Sequence, residues 1–213
     1  MTIEKKFIDQ FVNVTSKAAL ASYHVVGKKD KIAADQAAVD SMRNELNKLN
    51  IKGKIVIGEG ELDEAPMLYI GEKIGTMNGP EIDIAVDPLE GTNFAANNLP
   101  GALSVIAIAE KNNLFNAPET YMQKISTKVS DKEVVDLDYS VKKNIFNLSE
   151  YLNKKPEKLT ACIMDRPRHK DIINELKTIG VKIKFISDGD VSGALLVTDD
   201  KYGVDIFHES IKA

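Results

Sequence analysis

The sequence predicts an α/β fold, and three patterns predict it. From Leu159 onward, short apolar strands alternate with amphipathic helices. Residues 102–109, Ala-Leu-Ser-Val-Ile-Ala-Ile-Ala, form a nearly continuous apolar run, as in a strand covered on both faces. Phe7, Phe11, Val14 and Ala18 recur at helical spacing, so the chain opens on an amphipathic helix.

The elements follow in order. After the first helix, Gly27-Lys28-Lys29-Asp30 is a polar break, read at Lys28 and Lys29 as a solvated turn. A second helix is expected over about 33–48, with Ala37, Ala38, Met42 and Leu46 inward. Lys31 and Asp35 share one face at its start. Residues 54–57 and 82–86 are apolar strands. The polar stretch 126–151 is edge strand or loop around Asp136-Leu137-Asp138-Tyr139. Then come a strand at 161–164, a helix at 170–179 with Ile172, Ile173 and Leu176 inward and Gly180 beyond its end, and a strand at 181–186. A short helix at 191–197 and a strand at 204–207 complete the alternation.

Composition narrows the function. At 213 residues with 43% hydrophobic content, the chain suits one domain with a packed core. It is read as a single domain over 1–213, with a division into lobes near 155. A net charge of −4 argues against a general nucleic-acid surface, so an anionic ligand must meet local cations. No apolar run reaches membrane-spanning length, and the N-terminus Met1-Thr2-Ile3-Glu4-Lys5-Lys6 has no apolar core of a signal peptide. A cytoplasmic protein is expected. The single cysteine, Cys162, lies in an apolar run and is expected in the core.

The chemistry concentrates where strands give way to acidic loops. Ile82 to Val86 lead into Asp87-Pro88-Leu89-Glu90-Gly91-Thr92, which carries two carboxylates and a hydroxyl. Residues 54–57 lead into Gly58-Glu59-Gly60-Glu61-Leu62-Asp63-Glu64-Ala65-Pro66, with four carboxylates in six positions. An isolated Asp-Pro turn is ordinarily surface, but two such loops crowd like charges that repel unless a cation lies between them. Hard oxygen donors suit Mg²⁺ or Mn²⁺. With Thr92 beside a bound water, the set reads as a metal-dependent phosphate-ester hydrolase.

At these residues the chain resembles the lithium-sensitive, metal-dependent sugar and inositol phosphatases, whose Asp-Pro-(Ile/Leu)-(Asp/Glu)-Gly-(Thr/Ser) signature is similar to 87–92. Val56-Ile57-Gly58-Glu59-Gly60-Glu61 and Asp63-Glu64-Ala65-Pro66-Met67 look more narrowly like class II fructose-1,6-bisphosphatase. The likeness continues through Asp30-Lys31-Ile32-Ala33-Ala34-Asp35, Asn116-Ala117-Pro118-Glu119-Thr120-Tyr121-Met122, Arg166-Pro167-Arg168-His169 and Asp188-Gly189-Asp190. Motifs this long and this ordered are a strong signal.

The resemblance implies a layered αβαβα sugar-phosphatase fold. It implies Asp35, Glu59, Asp87 and Glu90 as ligands to Mn²⁺ or Mg²⁺, with Thr92 orienting or deprotonating the attacking water. Glu90, Gly91, Thr92, Tyr121, Arg166, Pro167, Arg168, Asp188, Gly189 and Asp190 become substrate contacts. Without the resemblance, Tyr121 equally packs with Met122, Arg166-Pro167-Arg168 is a charged loop, Asp188-Gly189 is a turn, and His169 is a surface or helix-start residue. Glu61 and Asp63 are weaker candidates for acid–base work and Lys31 for charge balance. The implied reaction is gluconeogenic hydrolysis of the sugar bisphosphate fructose 1,6-bisphosphate to fructose 6-phosphate. After Val204-Asp205-Ile206-Phe207-His208 the family continues with a Gly-rich turn and a Pro-Glu-Gly element whose Glu is another metal ligand. Here Glu209-Ser210-Ile211-Lys212-Ala213 stands instead. A fold incomplete at its C-terminus is therefore expected, with little or no activity. The alternatives are an inactive or self-associating fragment, expected as a homo-oligomer, and a phosphatase for another sugar or inositol phosphate.

Overall fold

The computed structural model describes residues 5–58, 67–115 and 120–212. They fall into two units, Met1–Ala117 and Pro118–Ala213.

In the first unit, α1 (Lys5–Tyr23) buries Phe7, Phe11, Val14 and Ala18, the stripe that its spacing predicts. Asp30 caps α2 (Lys31–Leu46) by accepting the Ala33 N–H at 2.9 Å. Ala34, Ala38, Met42 and Leu46 repeat every four residues along α2, and all are fully buried. Ala37, expected inward, is only half-buried at the margin of that stripe. Full burial of side chains such as Met42 or Leu46 stabilises by roughly 1.5–3 kcal/mol each.

The helices cover one face of a four-stranded sheet, ordered β2-β1-β3-β4. These strands are β1 (Lys52–Ile57), β2 (Lys73–Ile74), β3 (Glu81–Glu90) and β4 (Leu103–Glu110), with α3 (Thr92–Ala96) following β3. β1 and β3 run parallel, while β2 and β4 are antiparallel to their neighbours. Ile55, Ile82, Ile84, Val86 and Leu89 meet the helices. β4 was expected to be covered on both faces. It pairs with β3 alone among the described strands, is half-buried along most of its length, and exposes Ala107.

The second unit holds the predicted strand–helix alternation: β6 (Thr160–Met164), α5 (Lys170–Ile179), β7 (Lys182–Ile186), α6 (Asp190–Leu195) and β8 (Ile206–Lys212). Two further elements precede it, β5 (Tyr121–Ser126) and α4 (Val141–Tyr151). The sheet order is β5-β8-β6-β7; β6 is parallel to both its neighbours, and β5 is antiparallel to β8. Gly180 ends α5 at φ 89°, a left-handed position that only Gly adopts cheaply. Asp136-Leu137-Asp138-Tyr139 is loop. The buried Asn144 side chain fastens it, donating to Asp136 O at 2.8 Å and accepting the Asp136 N–H at 3.0 Å.

Ser140 caps α4 by accepting the Lys143 N–H at 3.1 Å. Ser140→Ala is expected to cost about 1 kcal/mol of stability. Urea denaturation of the variant beside the wild type checks this, and an unchanged midpoint would contradict it.

Candidate metal and phosphate site

The β3 strand does not end at Asp87 with a turn, as its Asp-Pro suggests, but runs on to Glu90. Asp87 lies opposite Val105 and Glu90 opposite Leu103, so three steps on β3 match two on β4. That is a β-bulge at Pro88-Leu89, where Pro has no N–H for the ladder. The bulge has a chemical consequence. In a regular strand residues three apart point to opposite faces. One extra residue returns Asp87 and Glu90 to the same face, the face of their partners Val105 and Leu103. Val86 and Leu89 meanwhile stay in the helix-covered core. Glu90 is buried, at 4% exposed.

Gly91 then turns the chain at φ 78°, and a Cβ there would lie 2.9 Å from the Phe94 ring. Thr92, half-buried, is the first residue of α3. The Gly27 and Lys29 N–H groups donate to Ala95 O and Ala96 O, each at 2.9 Å. These bonds pin the start of α2 beside α3, and the start of α2 carries Lys31, exposed, and Asp35. Burial pushes the Asp35 carboxyl above its ordinary range. Its Oδ1 is buried and, among the described residues, accepts no hydrogen bond.

A buried oxygen in need of a partner and hard carboxylate donors fit a divalent cation. Asp35 rides on the helix side of the sheet, whereas Asp87 and Glu90 project from the other face near the strand's end. Among the described residues, no three His, Cys, Asp or Glu side chains gather as a metal cluster. The expected ligand Glu59, with Glu61 and Asp63, lies outside the described residues.

The second unit gathers a basic cluster. Arg166, Pro167 and Arg168 follow β6, and Asp188, Gly189 and Asp190 follow β7, at the carboxyl ends of two parallel strands where ligands commonly bind. Arg166 donates to Ser187 O at 2.6 Å, linking the two strand ends. Pro167 opens the short 3-10 turn Pro167–His169. Arg168 donates to Ser210 O at 2.6 Å and lies 4.9 Å from the centre of the Tyr121 ring, a cation–π contact. Tyr121 is 57% exposed, so it does not pack in the core with Met122 as one reading allowed. Lys124 lies 3.7 Å from Asp190, the first residue of α6.

Sequence reasoning missed the buried polar groups behind this cluster. His169 does start α5, but it is fully buried, not on the surface. Its Nε2 accepts the Ser210 N–H at 3.0 Å, so the ring proton sits on Nδ1 and is donated to Met164 O at 2.9 Å. Glu209 is fully buried, accepts the Met164 N–H, and is pushed up to about 7 by burial. Burial, and next the nearby His169, lower His208 to about 4. The signal for Glu209 was the period of two along its strand: it shares a face with Phe207, which is 1% exposed. Burial pushes the Cys162 thiol up to about 12, so it stays protonated.

Residues 5–210 match the family model described as bacterial fructose-1,6-bisphosphatase, glpX-encoded. Proteins named D-fructose 1,6-bisphosphatase class 2/sedoheptulose 1,7-bisphosphatase are similar to it. One from Synechococcus sp. (strain CC9902) is 48% identical over 193 residues, covering 91% of this chain and 58% of the relative. One from Prochlorococcus marinus (strain MIT 9303) is 46% identical over the same shares. One from Thermosynechococcus vestitus (strain NIES-2133 / IAM M-273 / BP-1) is 48% identical over 198 residues, covering 87% of this chain and 57% of the relative. The chain thus spans about 58% of the length of the curated relatives it matches. With a match over residues 5–210, carrying the Asp87-to-Thr92 bulge and the Arg166-to-Arg168 turn, the chain belongs to the glpX-encoded bacterial fructose-1,6-bisphosphatase family.

Proposed function

We propose that this chain carries the metal- and phosphate-handling machinery for hydrolysing fructose 1,6-bisphosphate to fructose 6-phosphate and inorganic phosphate, a gluconeogenic step. The observation that carries the reading is the bulge that sets Asp87 and Glu90 on one face, one turn of chain before Thr92. Asp35, at the start of α2 pinned beside α3, with Glu59, Asp87 and Glu90 would hold one or more Mn²⁺ or Mg²⁺ ions around the end of β3. When bound, such an ion polarises the phosphoryl group and makes a nearby water more acidic. The Thr92 hydroxyl orients the attacking water in line with the bond from phosphorus to the C1 oxygen. That bond breaks as the water oxygen bonds to phosphorus, and the C1 oxygen leaves as an alcohol after taking up a proton. Arg166 and Arg168 supply local cations for a phosphate, and the Tyr121 hydroxyl adds a donor. Asp188 and Asp190 accept from sugar hydroxyls, with Gly189 between them. Such phosphorylated sugars are held in the cytoplasm, where the protein is placed. Among the described residues no helix is long and apolar enough to cross a membrane. A homo-oligomer is the state proposed, since among the described residues β4 and β7 are edge strands that a second copy could pair with.

A second reading, hydrolysis of sedoheptulose 1,7-bisphosphate, is favoured by the double names of the relatives. Phosphate release from the two bisphosphates separates them. Absence of release from both, with metal binding retained, identifies a segment that binds without turnover, in keeping with its 58% span of the relatives.

Metal titration by calorimetry tests the core of the proposal. Asp87→Asn and Glu90→Gln are each expected to weaken Mn²⁺ or Mg²⁺ binding at least about tenfold, or about 1.4 kcal/mol. Unchanged affinity in both variants would rule the site out.

A further inference from the structure

We propose a second anion site on the first unit, one that takes a phosphomonoester with a small apolar body. Its centre is an unfavourable pair. Lys54 on β1 and Lys73 on β2 are directly opposite each other in an antiparallel pair. Directly opposed residues share a face and bring their side chains close, and like charges there destabilise a sheet. Lys52, two residues along β1, points to the same face. Glu81 and Asp83 on β3 stand directly opposite Lys52 and Lys54 and offset part of this repulsion, while Lys73 has no acid opposite it among the described residues. Glu81 is engaged by Lys111 at 2.8 Å, and Asp83 accepts the Asn112 N–H at 2.6 Å. Among the described residues, no carboxylate pairs with Lys54 or Lys73.

These cations border a cleft of about 640 Å³ that lies wholly within the first unit. That volume is ordinary for a small-molecule site. Val56, Ile70, Met77 and Leu114 add apolar wall to it. Met77 holds a left-handed backbone at φ 59°, rare for a residue other than Gly, and is 43% exposed at the rim. Backbone strain of this kind collects at ligand-binding positions.

Lys52, Lys54, Lys73 and Lys111 against Glu81 and Asp83 leave a surplus of positive charge suited to a phosphate dianion, and the apolar side chains suit a body attached to it. The cleft is separate from the Asp87–Glu90 bulge: Asp83 and Asp87 are four residues apart on β3, or about 13 Å along the strand.

Phenyl phosphate is the probe, titrated calorimetrically into the whole chain with inorganic phosphate in parallel. The wild type is expected to bind phenyl phosphate at least tenfold more tightly than inorganic phosphate. The double variant Lys54→Gln/Lys73→Gln is expected to lose at least tenfold of the phenyl phosphate affinity, and Arg168→Ala, in the other basic cluster, to lose none of this component. Thermal melts give an independent reading. Without ligand the double variant should melt close to the wild type, since the Lys54–Lys73 repulsion and the attraction of Lys54 to Asp83 are removed together, and phenyl phosphate should no longer raise its midpoint. Equal affinity of wild type and double variant, or loss of the binding in Arg168→Ala, would overturn the proposal.

Discussion

Thr92→Ala is expected to lower the rate of phosphate release by roughly 10²–10⁴-fold, the range for removing a well-placed proton-transfer partner. The measurement needs a turnover-competent chain of the relatives' full length, with fructose 1,6-bisphosphate and Mn²⁺. Thr92 opens α3 immediately after the left-handed Gly91, so the strand end and the helix start together fix its backbone. Two carboxylates stand on one face of the strand just before it. In the proposed reaction the hydroxyl serves the attacking water and not the ground-state sugar. The Michaelis constant should change little while turnover falls. Thr92→Ser, which keeps the hydroxyl, should recover most of the rate. Wild-type turnover with a raised Michaelis constant would make Thr92 a binding residue instead.

Much of this arrangement is legible in the sequence, for physical reasons that differ by residue. The helices α1 and α2 announce themselves because one buried stripe repeats at the helical period, as in Ala34, Ala38, Met42 and Leu46. The strand–helix alternation after Leu159 does so because each element is short, amphipathic and punctuated, with Gly180 closing α5. The motif at residues 87–92 names its residue types but not its geometry. Asp-Pro signals a turn locally, and only pairing with β4 shows that the strand continues through a bulge and that Asp87 and Glu90 share a face. β5 and α4 escape notice because their burial is partial. β5 has no fully buried residue, and α4 buries just Asn144, Ile145 and Leu148. The burial of His169 depends on Met164 and Ser210, one of them 41 residues away, which no local pattern encodes.

Glu209→Gln is expected to stabilise the protein at alkaline pH by about 3 kcal/mol relative to wild type, and to change nothing near pH 4.5. Glu209 is fully buried on β8, with Met164 N–H on its Oε1 and, among the described residues, no hydrogen bond to its Oε2. The groups around it do not favour its charge strongly. Lys124 stands opposite it on β5 but reaches toward Asp190 of α6, itself an acid that opposes ionisation of Glu209. Arg166 and Arg168 help ionisation only weakly, each being turned to a backbone carbonyl, and Cys162 on β6 stays a neutral thiol. Desolvation therefore dominates and raises the carboxyl from 4.5 to about 7. A carboxyl that binds its proton more tightly in the folded state contributes its full stability below pH 4.5, and this is lost as pH rises through about 7. His208 works in the opposite direction. Lowered from 6.5 to about 4, it contributes its stability above pH 6.5 and loses it as pH falls through 4. The wild-type profile is thus flattened where the two overlap, and the curve alone would hide both. The difference between Glu209→Gln and wild type cancels His208 and every other shared group. Gln keeps the oxygen that accepts the Met164 N–H and copies the neutral acid. Urea denaturation at intervals from pH 4.5 to 8 should show that difference opening steadily from near zero. A difference that stays constant over this range would mean that Glu209 does not titrate between them, and that its burial is met by a partner able to hold its charge.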